Sequence, residues 1–172
     1  MKPYVSIVVA AYNVEKYIAR CLESLINQTL KNIEIIVVND CATDETLKII
    51  KEYAEMDERI VIVDKKYNEG LSMARNSGLD CASGKYIAFV DGDDFVDANV
   101  LSRLLDQIRS GQHKFDMLFT DFYRYKRMIE QTVSIRQFGE DYISGTEKII
   151  GKLTGRECFW NIWRCIYRRE FL

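Results

Sequence analysis

The chain contains a single proline and a single histidine among its 172 residues. The histidine, His113, lies between Gln112 and Lys114 in a predicted surface turn, so catalysis that depends on histidine is not expected. Hydrophobic residues make up 48% of the chain and charged residues 29%, a composition typical of a folded globular protein rather than a disordered or fibrous one. The length suits one compact domain.

Long hydrophobic runs are missing as well. Spanning a bilayer takes roughly 20 apolar residues, whereas the run at residues 33–38 is short and is interrupted by Glu34. No transmembrane segment or signal peptide is expected, which predicts a cytoplasmic protein, with the cytoplasmic face of the membrane as an alternative location. The 24 basic and 26 acidic residues nearly balance, which argues against nucleic acid as a partner.

Several motifs that would define a site are absent. The sequence has no G-x-G-x-x-G after the first predicted strand and no G-x-x-x-x-G-K-[ST], which argues against NAD binding and P-loop hydrolysis. The cysteines form no C-x-x-C pair, so we interpret them as reduced thiols that pack as small hydrophobes. They are Cys21, Cys41, Cys81, Cys158 and Cys165.

Short apolar runs rich in β-branched residues recur along the first two thirds of the chain. Each has the length and composition of a strand that is buried on both faces of a sheet. These runs predict strands at residues 5–10, 33–38, 60–63, 86–90 and 115–122.

Between these runs, apolar residues recur at helical spacing. The pattern predicts helices capped by Asn13, beginning near Thr43 or Asp44, covering residues 70–82, and running from Asp97 to Gly111. The alternation predicts an α/β fold, with a mostly parallel sheet that carries helices on both faces. After residue 124 the periodicity weakens, and a short helix at residues 146–153 is predicted.

Four of the predicted strands lead into polar residues. In an open parallel sheet, ligands bind beyond the carboxyl ends of the strands, where the helix N-termini also point. We therefore expect these polar groups to converge on one rim and to form a binding site. They are Tyr12-Asn13, Asn39-Asp40, Asn68-Glu69-Gly70 and Asp91-Gly92-Asp93-Asp94.

The acidic group at residues 91–94 is the most informative of the four. Three carboxylates within four residues repel one another unless a positive charge neutralises them. A hard cation such as Mg²⁺ or Mn²⁺ binds carboxylates and keeps positions open for substrate phosphates, and Gly92 would allow a diphosphate to approach the backbone. The alternative interpretation is an acidic turn before the helix that Asp97 caps.

Two further residues are candidates for binding a ligand. Asp40, at the end of a predicted strand, could accept hydrogen bonds from a nucleobase or ribose, or could cap the turn beside Thr43. Arg75 lies one turn into the helix after Gly70, where it could pair with a phosphate or base, or remain a solvated helix residue.

Taken together, the motifs at residues 5–13, 37–44, 68–76 and 91–94 resemble those of the family-2 glycosyltransferases. The resemblance runs in the same order from residue 4 to about residue 100, and a weaker similarity extends to residues 163–169. It implies a Rossmann-like GT-A fold and an inverting transfer of a sugar from a nucleoside diphosphate, commonly UDP, to a glycan or lipid-linked acceptor. It also implies a single domain over residues 1–172, with residues 1–122 binding the nucleotide sugar and residues 123–172 beginning the acceptor side.

The resemblance also assigns roles to individual residues. Ala10, Tyr12 and Asp40, with Asn13 beside them, would contact the base and ribose, and Asn68 and Arg75 would line the nucleotide pocket. Asp93 would coordinate Mn²⁺ or Mg²⁺, Asp91 would face the ribose or the metal, and Gly92 and Asp94 would lie near the diphosphate and the donor sugar.

The chain departs from the family in two ways. Asn39, Cys41 and Ala42 replace the usual Asp, Gly and Ser of the second motif, and because cysteine adopts positive φ less readily than glycine, this loop is where we expect any change in geometry. The carboxylate that acts as general base in the family would follow residues 163–169, beyond Leu172, so the catalytic base is not assigned and a truncated chain is expected.

Several features leave their interpretation open. Trp160 and Trp163 could stack on acceptor sugars or pack in the core. Arg124, Lys126 and Arg127 could contact an anionic acceptor or a membrane surface, or form a solvated face. The alternatives to a complete transferase are a donor-binding fragment that is inactive alone and a nucleotidyltransferase. The acids available in the second half are Glu140, Asp141, Glu147 and Glu157.

Overall fold

The computed structural model describes residues 2–110, 116–119, 122–126, 129–133 and 165–172. Strands and helices alternate over the first of these segments. The described strands are β1 Val5–Ala11, β2 Ile33–Asn39, β3 Ile60–Asp64, β4 Tyr86–Asp91, β5 Met117–Phe119, β6 Phe122–Lys126, β7 Ile129–Val133 and β8 Cys165–Arg168. The described helices are α1 Ile18–Ile26, α2 Thr46–Met56, α3 Leu71–Cys81 and α4 Val100–Ser110, and a 3-10 turn covers Arg169–Phe171.

Six strands form one sheet in the order β3-β2-β1-β4-β8-β5. The first four strands of the chain are parallel to one another, with Val5 opposite Ile33 on one side and Tyr86 on the other. Strand β8 runs antiparallel between β4 and β5, and β6 pairs with β7 in a separate antiparallel sheet. The predicted α/β fold with a mostly parallel sheet is confirmed.

Alternate strand residues face two separate apolar cores, because successive side chains of a strand point to opposite faces. Ile7 and Ile35 pack in the core that also contains residues of α1, α2 and α4. Val8 and Ile36 pack in the core that contains residues of α3. Helices therefore cover both faces, as the alternation predicted.

Helix α3 lies close against the sheet through Gly78. A Cβ atom at this position would overlap the side chain of Val8 and would meet Val38 Cγ2 at 3.1 Å. The glycine is needed here for the close approach of helix and strands.

Several predicted boundaries are wrong. Helix α1 begins at Ile18 rather than after Asn13, which has φ 52° and does not cap it. Helix α2 begins at Thr46, close to the predicted start near Thr43 or Asp44, and Asp44 Oδ1 accepts the Thr46 N–H at 3.0 Å. The predicted strand at residues 115–122 contributes to two strands in different sheets, β5 and β6, because its end pairs with β7 rather than with β8. Strand β8 was not predicted.

The helices and cysteines of the described part bear on two further expectations. No helix there is long and apolar enough to cross a membrane. No disulfide joins the cysteines that the structure describes, Cys21, Cys41, Cys81 and Cys165. His113, Gly111, Cys158 and the predicted helix at residues 146–153 lie outside the described residues.

Candidate functional site

The carboxyl ends of the four parallel strands lie side by side at one edge of the sheet. Backbone hydrogen bonds continue past the strands: Asp40 N–H donates to Ala11 O at 2.9 Å, and Gly92 N–H donates to Ala10 O at 3.0 Å. The chain leaves β1 toward β2 on one side, while β4 lies on the other side, and open α/β sheets bind ligands at such a reversal of strand order. We call this edge, residues 11–14, 39–44, 64–70 and 91–97, the carboxyl rim.

Residues 91–94, the acidic turn, combine one paired carboxylate with two unpaired ones. Asp91 Oδ1 accepts a hydrogen bond from Arg75 Nη2 at 2.6 Å. Asp93 and Asp94 reach the surface, and within the described residues their carboxylates have no hydrogen-bond or ion-pair partner. Partial burial, followed by the charges of Asp93 and Asp91, raises the pKa of Asp94 to about 6. The turn therefore carries negative charge that the described residues neutralise only in part.

The negative potential of the acidic turn extends to helix α1. The thiol of Cys21 donates to Asp91 O at 3.7 Å, so it supports the backbone of the turn from below. Burial, and then the carboxylates of Asp94, Asp93 and Asp91, raise the pKa of Cys21 to about 12. The thiol thus stays protonated at neutral pH and remains a hydrogen-bond donor.

The acidic turn fits a divalent cation that prefers oxygen ligands, such as Mn²⁺ or Mg²⁺. The raised pKa of Asp94 arises partly from repulsion between neighbouring carboxylates, which a cation relieves. Within the described residues, no three His, Cys, Asp or Glu side chains are arranged to hold a metal ion by themselves. A cation bound here would therefore take its remaining oxygens from water and from a ligand such as a diphosphate.

Asp40 is almost fully buried, with 2% of its surface exposed. Its carboxylate accepts backbone N–H bonds from Glu69 at 3.1 Å and Gly70 at 2.8 Å, and Lys65 Nζ lies 3.4 Å from Oδ1. These bonds join the end of β2 to the loop that leads into α3, and they do not involve the turn at Thr43. Asp40 thus fixes the loop that carries Asn68; its contact with a base or ribose stays a prediction.

Two residues of the carboxyl rim have a left-handed backbone without being glycine. Asn13 has φ 52° and its side chain accepts the backbone N–H of Thr43 at 2.8 Å, which joins the loops after β1 and β2. Cys41 has φ 61°, a conformation that costs roughly 1–2 kcal/mol for a residue with a Cβ atom. The loop after β2 therefore keeps a backbone suited to glycine, at a cost in strain.

The remaining predicted residues also lie at the rim. Tyr12 is 47% exposed at the end of β1, and Asn68 is exposed in the loop before α3. A Cβ atom at Gly92 would meet Ala10 O at 3.0 Å and Val14 Cγ2 at 3.1 Å, so a larger residue here would press against the end of β1 and the loop after it. The approach of a diphosphate to Gly92 stays a prediction.

Sequence reasoning missed two residues that support the rim. The side chain of Lys65 is largely buried. Its Nζ lies 2.6 Å from Glu69 Oε2 and 3.4 Å from Asp40 Oδ1. Cys21 contacts Asp91 from helix α1. A lysine after a short strand is typical of a surface loop, and a cysteine in an apolar helical stripe is typical of core, so neither gave a signal.

Several residues that the sequence singled out lie outside the described part of the chain. They are the side chains of Arg124 and Lys126, together with Arg127, Trp160, Trp163 and the acids at positions 140, 141, 147 and 157.

This rim of ordered motifs can be compared with known proteins. Residues 6–171 match the sequence model of Glycosyl transferase family 2. The chain belongs to this family. Among its relatives, the uncharacterized glycosyltransferase EpsJ of Bacillus subtilis (strain 168) is 38% identical over 172 residues, which are 99% of this chain and 49% of EpsJ. The chondroitin synthase of Escherichia coli is 33% identical over 148 residues, 86% of this chain and 21% of that protein.

Solved structures of other glycosyltransferases share the fold. Residues 1–349 of TarS from S. aureus superpose with a TM-score of 0.74 and 30% identity, covering 96% of this chain and 47% of that one. The same TarS fragment in complex with UDP-GlcNAc gives a TM-score of 0.73 at 27% identity, covering 96% of this chain and 45% of that one. The fold is therefore that of the GT-A glycosyltransferases, and the chain spans about half the length of EpsJ and of the TarS fragment.

Proposed function

We propose that this chain binds a nucleoside diphosphate sugar, with uridine as the expected nucleoside, at the carboxyl rim together with a divalent cation. The acidic turn carries the proposal, because two exposed carboxylates without a described counter-charge lie beside the reversal of strand order between β1 and β4. The similarity to TarS, which has been solved with UDP-GlcNAc, supports a UDP-linked donor.

The nucleotide would lie across the ends of β1, β2 and β3. The exposed ring of Tyr12 offers a flat apolar face to a base, with Ala10, Asn13 and Asp40 beside it. Asn68 would line the same pocket from the loop that Asp40 holds through Gly70.

Arg75 is well placed to meet a phosphate of the donor. One of its Nη atoms is paired with Asp91, and its Nε is buried without a hydrogen-bond partner among the described residues. A guanidinium has further N–H donors that suit phosphate oxygens. Arg75 would thus orient Asp91 through one N–H group and bind a donor phosphate through another.

Asp93, with Asp91, would hold the Mn²⁺ or Mg²⁺ ion, and Asp94 would lie near the donor sugar. When bound, the cation supplies Lewis-acid stabilisation of the leaving diphosphate. Because Asp91 is already neutralised by Arg75, Asp93 is the carboxylate on which metal binding depends most.

The complete protein would transfer the sugar, with inversion, to a hydroxyl of a glycan or lipid-linked acceptor. Relatives named chondroitin synthase and minor teichoic acid biosynthesis protein GgaB support a glycan acceptor. The base that takes the acceptor proton is not among the described residues to which we assign roles, and the chain spans about half of EpsJ. A donor-binding portion that is inactive alone is therefore the second candidate.

The cytoplasmic location stays a prediction.

Calorimetric titration with UDP and UDP-GlcNAc, each with and without MnCl₂, tests the proposal. We expect Mn²⁺ to strengthen binding of both ligands, and Asp93→Ala to abolish this gain. Asp80→Asn, an exposed acid in the last turn of α3, is the matched control and should bind as the wild type does. Equal affinity with and without Mn²⁺, or full affinity in Asp93→Ala, would refute the metal site, and absence of UDP binding would refute the proposal as a whole.

A second measurement separates the two candidates. UDP release from UDP-GlcNAc in the presence of glycan acceptors reports turnover. Binding without turnover by the 172-residue chain would favour the donor-binding portion, whereas turnover would show that the chain contains its own base.

A further inference from the structure

Helix α1 presents polar side chains to the segment that follows β4. Cys21 donates to Asp91 O at 3.7 Å, and Ser24 Oγ accepts the backbone N–H of Val96 at 3.2 Å. Arg20, one residue before Cys21, places its guanidinium 3.6 Å from the centroid of the Phe95 ring. The acidic turn and the residues just after it are therefore in contact with one side of α1.

Gln28, which follows the end of α1, also contacts the segment after β4. It is fully buried, with 0% of its surface exposed. Its Nε2 donates to Asp97 O at 2.8 Å and to Ser24 O at 3.0 Å, while its Oε1 lies 3.5 Å from the backbone N–H of Leu101. Only this orientation of the amide satisfies all three partners, since carbonyls only accept and a backbone N–H only donates.

Burying a side-chain amide costs free energy unless its polar atoms are hydrogen-bonded, and both polar atoms of Gln28 are bonded. Apolar residues occupy the neighbouring buried positions of α1, among them Leu22 and Leu25. One bond of Gln28 holds Asp97 O, between the acidic turn and helix α4, and another is to the backbone N–H of Leu101 in the first turn of α4. Buried polar groups that are fully bonded specify one geometry of the segment they hold.

We propose that Gln28 is a positioning residue of the donor site: with Ser24 and Cys21, it holds the backbone of residues 91–101 so that the acidic turn presents its carboxylates in one arrangement. This role rests on the proposed function for its consequence in metal and donor binding. Gln28 itself touches neither ligand. It acts through Asp97 and Leu101, on the chain that leaves the acidic turn.

The first test measures UDP affinity with and without MnCl₂ in Gln28→Met, which keeps an unbranched side chain but loses both kinds of hydrogen bond. We expect the gain in affinity from Mn²⁺ to fall about tenfold, as is typical when a group that orients metal ligands is removed. UDP affinity without metal, which depends on the ends of β1, β2 and β3, should not change.

Control variants separate positioning from general loss of stability. Ile50→Ala creates a cavity in the core at α2, away from the acidic turn, and should keep the full gain from Mn²⁺. Ser24→Ala should lose part of the gain, and Ser24→Thr should restore it because the hydroxyl that accepts the Val96 N–H is retained. An undiminished gain in Gln28→Met, or an equal loss in Ile50→Ala, would overturn the proposal.

Amide hydrogen exchange provides a readout that needs no ligand. In Gln28→Met we expect faster exchange confined to residues 91–101, whereas Ile50→Ala should accelerate exchange across the sheet. Exchange that rises equally in all elements of Gln28→Met would overturn the positioning role. If the wild type bound UDP equally well with and without Mn²⁺, the proposed metal site would fail, and the exchange result would still decide whether Gln28 holds residues 91–101.

Discussion

Carboxylates occur at both ends of the parallel strands. These carboxylates differ in whether they have hydrogen-bond or ion-pair partners. At the amino ends, Glu34 accepts hydrogen bonds from Ser6 Oγ at 2.5 Å and from the backbone of Ser83 at 2.7 Å, and Asp57 pairs with Arg59 at 2.6 Å. At the carboxyl rim, Asp93 and Asp94 have no such partners within the described residues. The amino ends use these carboxylates to hold neighbouring segments together, whereas the rim, where Asp40 and Asp91 are paired, leaves Asp93 and Asp94 available.

The backbone shows the same contrast. Each positive φ in the described part of the chain lies at the carboxyl rim, at Asn13, Cys41 and Gly70. Backbone strain and unneutralised charge both cost stability, and they tend to collect where a protein binds or reacts. The rim thus combines groups that hold its loops, such as Asp40 and Asn13, with carboxylates that have no described partner, and the amino ends provide the comparison for those carboxylates.

The largest expected effect is the removal of Glu34. Its carboxylate also accepts a bond from Gly84 N–H at 3.2 Å, so it ties β1 and β2 to the turn before β4. Glu34→Ala should lower the free energy of unfolding by about 3 kcal/mol, since hydrogen bonds to charged groups contribute about 1.5–3 kcal/mol each. The shift of the urea midpoint at constant m value measures this loss.

Asp93→Ala is the counterpart of Glu34→Ala at the rim. It should change stability by no more than about 0.5 kcal/mol in the same assay, as is usual for a surface site without partners. If Asp93→Ala destabilised the protein as much as Glu34→Ala, the proposed difference between the two ends would be wrong.

Asp57 should give the amino ends a characteristic acid dependence. The side chain of Arg59, which also bonds Ile26 O at 2.9 Å, lowers the pKa of Asp57 against the opposing effect of burial. A lowered pKa gives stability that is present above the unfolded-state value of about 3.9 and is lost as pH falls through the folded-state value. Asp57→Asn should therefore cost about 1.5 kcal/mol at pH 7, and this cost should shrink as pH falls through the folded-state value. Urea unfolding across this range measures it, and a cost that did not vary with pH would contradict it.

The strands and helices on which these groups lie were largely predictable from the sequence. Apolar periodicity records burial, so β1 to β4 and the body of each helix were located correctly. The start of α1 was wrong because Asn13 bonds Thr43 across 30 positions of sequence and does not cap the helix. Strand β8 has four residues and is buried only by pairing with β4 and β5, which no local pattern shows.

The site residues that directly follow a strand in the sequence could be predicted. Asp40 and the acidic turn follow their strands directly, so sequence placed both at the rim. What sequence could not show is which groups pair, because Arg75 and Asp91 are 16 positions apart, and the bonds from Gln28 to Asp97 and Leu101 span 69 and 73 positions. These contacts depend on how α1 and α3 pack on the sheet.

Cys41 allows the strain at the rim to be measured. Cys41→Gly should be more stable than Cys41→Ala by about 1 kcal/mol, since both lose the thiol while only glycine relieves the left-handed backbone. Thermal unfolding of the two variants gives the difference. Equal stability would mean that the loop after β2 does not hold this backbone in solution.

The smallest expected effect concerns Asp94, whose pKa is raised to about 6, first by burial and then by Asp93 and Asp91. A raised pKa in a carboxyl group means that stability is fully present below the unfolded-state value of about 3.9 and is lost as pH rises through about 6. Because Asp94 is exposed, solvent screening limits the loss to about 0.5 kcal/mol. In EDTA, Asp94→Asn should therefore match the wild type near pH 4 and exceed it slightly at pH 7.5, in denaturation curves measured at both values. Lower stability of Asp94→Asn at pH 7.5 would mean that this carboxylate is held by a partner, as Glu34 is, and the contrast between the two ends of the sheet would not extend to it.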